Sequence, residues 1–160
     1  NYYKNKKDIY IKIISLIKTL KNDFGIKKPK ILMAGINPHA GEKGLISSED
    51  DKLVKPIIKK LKKNMIYIDG PVSGDAIINN NNLIKYDTFI FTFHDQALIP
   101  FKIISNYNGV NFTSALSIIR VSPTHGTARN LVGKNLYSSK GIINCFKTIR
   151  KIHNNRKKIV

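Results

Sequence analysis

Two histidines stand directly after apolar runs of strand length. His39 lies in Gly35-Ile36-Asn37-Pro38-His39-Ala40-Gly41-Glu42, which follows Lys30-Ile31-Leu32-Met33-Ala34. His94 lies in Phe93-His94-Asp95-Gln96, at the end of Asp87-Thr88-Phe89-Ile90-Phe91-Thr92-Phe93. Loops that leave the carboxyl ends of neighbouring strands converge on a crevice, and ligands bind there in open α/β sheets. Imidazole titrates near neutral pH and is a common metal ligand, so the pair points to a metal or acid–base site. Two histidines do not close such a site; water, substrate or another polypeptide must supply the rest. A third segment, Ser122-Pro123-Thr124-His125-Gly126-Thr127-Ala128, has the small and polar residues of a binding loop.

The elements that must carry these loops alternate between helix and strand. Tyr10, Ile13, Ile14, Ile17 and Leu20 recur at helical spacing, with Gly25 as the stop. The 30–34 strand follows. Ser48 and Asp51 have capping-box spacing before a helix with Leu53, Ile57 and Leu61 on one face, and Pro56 inside it predicts a kink or a late start. Met65-Ile66-Tyr67-Ile68 reads as a short strand ending at the Gly70-Pro71 turn, and Asn79 to Asn82 as a polar loop. After the 87–93 strand, residues 110–121 hold one or two more strands. Ser138 or Ser139 caps a last helix bearing Ile142, Ile143, Phe146, Ile149 and Ile152, and a basic tail over 154–160 frays. Alternation of this kind predicts a helix-covered sheet, one α/β unit over residues 1–160.

Composition narrows the class. A hydrophobic fraction of 42% argues against disorder. No apolar run approaches the ~20 residues of a membrane span, and the first residues have no secretory stretch. The lone cysteine, Cys145, excludes an intrachain disulfide; it fits a reducing, cytoplasmic setting and reads as a buried structural thiol. The net charge of +18 suggests polyanion binding, but four of the 28 basic residues are arginine and the rest are lysines spread along the chain. Heavy use of Lys, Ile and Asn reflects A/T-rich codons, no nucleic-acid motif is visible, and neither specific nucleic acid nor membrane is an expected partner.

The segments in series resemble the carboxyl-terminal half of the PdxA-type 4-hydroxythreonine-4-phosphate dehydrogenase family. The resemblance rests on Asn37-Pro38-His39-Ala40-Gly41-Glu42, Asp69-Gly70-Pro71 with Asp75, His94-Asp95-Gln96 followed by Lys102, Gly109-Val110-Asn111, Ile119-Arg120 and His125-Gly126-Thr127-Ala128, all in register over residues 8 to 153. It implies about half of a mixed or parallel α/β fold of the isocitrate/isopropylmalate dehydrogenase type. It also implies NAD(P)-linked, metal-dependent oxidation of 4-phosphohydroxy-L-threonine to 2-amino-3-oxo-4-phosphooxybutanoate. Decarboxylation to 3-amino-2-oxopropyl phosphate follows, within pyridoxal 5'-phosphate biosynthesis.

The same resemblance assigns residues. His39 and His94 match two of three histidines that hold a divalent metal (zinc, with magnesium or cobalt as alternatives) across a homodimer interface. Lys102, Asn111 and Arg120 match contacts to the phosphorylated substrate. His125, Gly126, Thr127, Ala128 and Asn130 fall on the adenine side of the cofactor, while Asp75, Asp95 and Lys102 are the candidate catalytic groups. Either aspartate can instead orient a neighbouring histidine. Where relatives usually carry an acid facing the ribose this chain has Asn130 beside Arg129, which leaves NAD and NADP both open. The third histidine and a His-Thr pair lie upstream in the family, so an amino-terminal partner segment is expected. The alternatives are a non-catalytic remnant and a dehydrogenase of threonate or erythronate 4-phosphate.

Overall fold

The computed structural model describes residues 5–106, 108–124, 126, 129, 132–134 and 138–158. Helix α1 (Asn5–Asn22) precedes strand β1 (Ile31–Ala34), and Gly25 adopts a φ of 74° where the chain turns between them. Strand β1 is the centre of a three-stranded sheet, flanked by β2 (Ile68–Val72) and β3 (Thr88–Ile90), and both pairings are parallel. All four β1 residues are buried, which explains why the segment is apolar throughout rather than alternating. Ile31 and Met33 meet Ile13 and Ile17 of α1 and Ile57, Ile58 and Leu61 of α2 (Lys55–Lys63). On the opposite face Leu32 and Ala34 pack with Ile77 and Tyr86.

The remaining elements form a second region. Helix α3 (Asn80–Lys85) leads into β3, and α4 (His94–Ser105) leaves it. Strands β4 (Val110–Thr113) and β5 (Arg120–Pro123) form an antiparallel ribbon, and α5 (Lys140–Lys157) packs against it. Phe112 on the ribbon meets Phe24 edge to face at 5.4 Å. The Arg156 guanidinium bonds both oxygens of buried Asp23, at 2.7 and 3.0 Å, and also reaches the carbonyls of Leu116 and Ser117. These bonds tie the end of α5 to the end of α1 and to the ribbon's turn.

Three local expectations need correction. The strand expected at 65–68 runs instead from Ile68 to Val72, through Gly70-Pro71. Gly70 lies so close to β1 that a Cβ there would meet the Met33 carbonyl oxygen at 2.3 Å, and its φ of 122° admits only glycine readily. The Asn79–Asn82 run opens a helix: the Asn79 side chain accepts from the Asn82 N–H at 2.9 Å, an N-cap that the looped reading overlooked. The cap expected of Ser138 or Ser139 is present at α5: Ser139 occupies the N-cap position, and the Ser138 hydroxyl accepts from the Lys140 N–H at 3.3 Å. Fraying from Asn154 is not seen, because the Asn155 amide donates to the Asp23 carbonyl and Arg156 grips its carboxylate; α5 reaches Lys157. The helix with Pro56 does start late: a single wide turn over Asp50–Val54 precedes α2, and the proline takes its first turn, where its missing N–H costs no bond.

Candidate metal and substrate cleft

His39 and His94 each follow the carboxyl end of a strand, β1 and β3, and these strands are hydrogen-bonded neighbours. His94 is the first residue of α4, and His39 lies in a tight turn over Pro38–Gly44. That turn is left-handed. His39, Ala40, Glu42 and Lys43 all have φ between 43° and 55°, with Gly41 at 77°. Such a conformation costs L-residues about 1–2 kcal/mol each, so four of them need compensating bonds.

The bonds come from the segment before α2. Asp50 is fully buried, and its carboxylate accepts from the backbone N–H of Ile36 at 2.8 Å and of Asn37 at 3.1 Å. The Asn37 side chain donates to Glu49 at 3.1 Å. Bonds to a charged acceptor contribute about 1.5–3 kcal/mol each, which is the scale required. Sequence reasoning passed over Asp50 in favour of Ser48 and Asp51 as a capping pair. The available signal was its spacing from Leu53, Val54 and Ile57, which places a carboxylate on the apolar face of the helix.

Two adjoining open clefts lie at this rim. His39 lines one of about 920 Å³ together with Asn37, Ser73, Asp75, Asp95 and Gln96. His94 lines the other, of about 1010 Å³, with Phe89, Phe101, Lys102, Asn111 and Thr124. Ile78 and Pro100 border both. The Asp75 carboxyl is held below the usual carboxylate range, first by a hydrogen bond from the Ser73 hydroxyl, then by its own backbone N–H, with the nearby His39 charge adding to the effect. His39 is thus within electrostatic reach of a carboxylate that is ionised at neutral pH.

The substrate candidates divide. Lys102 and Asn111 face the His94 cleft from α4 and β4. Arg120 on β5 pairs in register with Thr113 and donates to its hydroxyl at 2.8 Å. Because side chains alternate along a strand, Arg120 and Asn111 share one face of the ribbon. Arg120 does not line the cleft itself. His125, Thr127, Ala128 and Asn130 lie outside the described residues, so of the expected cofactor loop only Gly126 is described, and it is exposed.

Imidazole nitrogens with a carboxylate alongside suit zinc in donor chemistry. Among the described residues, no three His, Cys, Asp or Glu side chains come together closely enough to hold a metal. Burial raises the Cys145 thiol, in keeping with a structural role. No helix among the described residues is long and apolar enough to cross a membrane.

Comparison with known proteins identifies the family. Residues 4–149 match the family described as "Pyridoxal phosphate biosynthetic protein PdxA". A 4-hydroxythreonine-4-phosphate dehydrogenase of Bacteroides thetaiotaomicron is 38% identical over 133 residues, covering 83% of this chain and 36% of that protein. Its counterpart in Zymomonas mobilis is 45% identical over 119 residues, 74% of this chain and 36% of its own length. The crystal structure of the Klebsiella pneumoniae 4-hydroxythreonine-4-phosphate dehydrogenase superimposes with a TM-score of 0.74 at 30% identity, over 94% of this chain and 45% of that one. The chain therefore spans less than half the length of the relatives it matches. It belongs to the PdxA family.

Proposed function

We propose that this chain forms the metal- and substrate-binding half of a 4-hydroxythreonine-4-phosphate dehydrogenase. The observation that carries the reading is the convergence of His94, Lys102 and Asn111 on one cleft, beside a second cleft that holds His39, Asp75 and Asp95. In this reading Lys102 and Arg120 complement the phosphate and carboxylate of 4-phosphohydroxy-L-threonine, and Asn111 donates to or accepts from its hydroxyl or amine. Both cations approach from the second region, α4 and β5, while His39 is held by the first.

The reaction removes a hydride from the carbinol carbon to the nicotinamide of NAD or NADP and a proton from the hydroxyl. The β-keto acid so formed loses carbon dioxide to give 3-amino-2-oxopropyl phosphate. His39 and His94 would hold the divalent metal, which when bound lowers the pKa of the alcohol. Asp75, kept ionised by Ser73, orients the His39 side of the site, and Asp95 is the carboxylate next to His94. The His125–Ala128 loop and Asn130 take the adenine side of the cofactor.

Three ligands and both walls of a cofactor cleft require more than these residues. We assign the remainder to an amino-terminal partner segment and to a homodimer that shares the metal across its interface, in a soluble cytoplasmic enzyme. The partial coverage of every relative described above supports the need for further polypeptide.

Calorimetry with zinc tests the ligand assignment. Binding by this chain alone should be weak, weaker still in His39→Ala and His94→Ala, and much tighter once the complementary segment is added. Identical heats for the parent and both variants would remove the metal reading. Oxidation of 4-phosphohydroxy-L-threonine should require the complementary segment, and steady production of reduced cofactor by this chain alone would show that it builds a complete site by self-association.

A further inference from the structure

The end of β1 and the segment that carries Asp50 come together against the left-handed turn that carries His39. A Cβ placed on Gly35, at the end of β1, would lie 3.0 Å from the Ala40 Cα in the turn and 3.2 Å from Asp50 Oδ1. The Asp50 carboxylate takes the Ile36 and Asn37 N–H groups, while Glu49 takes the Asn37 side chain. Glu49 is itself held ionised, first by the Ser47 hydroxyl. A buried carboxylate with two backbone N–H donors needs its charge: an amide in its place offers one acceptor oxygen and turns an NH₂ toward the second donor.

We infer that Asp50, with Glu49 beside it, is a positioning residue that sets the His39 turn against the Ser73–Asp75 segment. Asp50 lines neither cleft; it acts through the backbone of Ile36 and Asn37. The consequence for metal binding rests on the ligand role of His39 proposed above, but the positioning itself does not.

The deciding measurement uses no metal. In the 160-residue chain, Asp75→Asn should displace the His39 ring-proton resonances, because both side chains line one cleft and the imidazole lies within electrostatic reach of the carboxylate. In an Asp50→Asn background that displacement should disappear. Leu53→Ala serves as the control, since it weakens the same helix through its buried face and should leave the response intact. Should Asp50→Asn fail to fold, Glu49→Ala, at a less buried position, removes the acceptor for the Asn37 side chain and should diminish the response. A full response in the folded Asp50→Asn chain, or in Glu49→Ala where that variant stands in, overturns the inference, as does an absent response in the parent.

A second arm measures zinc affinity. Removing a group that orients a ligand typically weakens metal binding about 10–100-fold, so Asp50→Asn should lose at least about tenfold. The loss should vanish in a His39→Ala background, because the two changes then act on one interaction. Unchanged zinc binding in His39→Ala would remove the ligand assignment and leave the resonance measurement to judge Asp50.

Discussion

The two regions of this chain differ in how they are held. Around β1, the sheet, α1, α2 and the wide turn before α2 bury ten apolar side chains in one cluster, with Ile31, Leu61 and Ile68 fully enclosed. Around α4, by contrast, no helix residue is buried, and Ile99, Ile103 and Ile104 stand 61%, 75% and 54% exposed. Yet most candidate functional residues, His94, Asp95, Lys102, Asn111 and Arg120, lie in this second region. Only His39 and Asp75 belong to the first. The buried core and most of the candidate site residues thus lie in different parts of the chain. They meet at the rim where β1 and β3 end.

That contrast is most easily broken by truncating one side chain in each region. Leu61→Ala removes a fully buried side chain and should cost about 2–5 kcal/mol of unfolding free energy. Ile103→Ala, on the open face of α4, should stay within about 0.5 kcal/mol. Urea denaturation of both variants decides. A comparable loss at Ile103 would mean that α4 is packed in solution by something outside these residues.

Next in size is the tie between α5 and α1. Arg156→Ala leaves the Asp23 carboxylate buried without its partner, a loss of about 3 kcal/mol for pairs of this kind. If the ribbon and α5 were independent of the sheet region, the variant would unfold with an unchanged midpoint. The guanidinium is held charged by the same contact, so the loss should persist across neutral pH.

How much of this was legible in the sequence follows the same division. The buried elements were the readable ones: α1 and the Leu53-Ile57-Leu61 face follow a helical period because one solvent-shielded surface dictates their residues, while β1 is an unbroken apolar run because both its faces are covered. Helix α4 gave no such signal. Its apolar residues Ile99, Ile103 and Ile104 are exposed and join no core among the described residues; Ile99 and Ile103 share a face at i, i+4, but Ile104 lies off it. Asn79 was read as loop because four asparagines have poor helix propensity, and only the cap geometry explains why the helix starts there. At the site, the histidines could be placed because both follow apolar strands. Asp50 was not found, since a charge that reads as a surface cap is indistinguishable by type from one that anchors two backbone N–H groups.

A smaller effect should separate the two regions by function rather than stability. In the enzyme completed by its partner segment, Arg120→Ala should raise the Michaelis constant at least about tenfold, the loss of roughly one charge-assisted bond. Lys102→Ala should act in the same direction. Both positions are exposed, so the melting temperature of either variant should match the parent. A kinetic parent-like Arg120→Ala would assign that arginine to its bond with Thr113 alone.

The mildest test concerns acid. Asp69 on β2 has its carboxyl held below the ordinary carboxylate value, first by the Lys62 ammonium that bonds it at 2.8 Å, with the Tyr86 hydroxyl and Lys85 adding to it. A carboxyl whose folded pKa lies below its unfolded value of about 3.9 is protonated more readily in the unfolded chain. Stability therefore rises with pH between the two values, is fully present above the unfolded one, and is lost as pH falls through the folded one. Because Asp69 is about one-third exposed, solvent screens the pair and the contribution should be small. Asp69→Asn should lower stability slightly at pH 7 and flatten its decline below about pH 4. An Asp69→Asn chain whose acid limb matches the parent would show that this contact has no share in acid stability, and would dissolve the contrast where it is weakest.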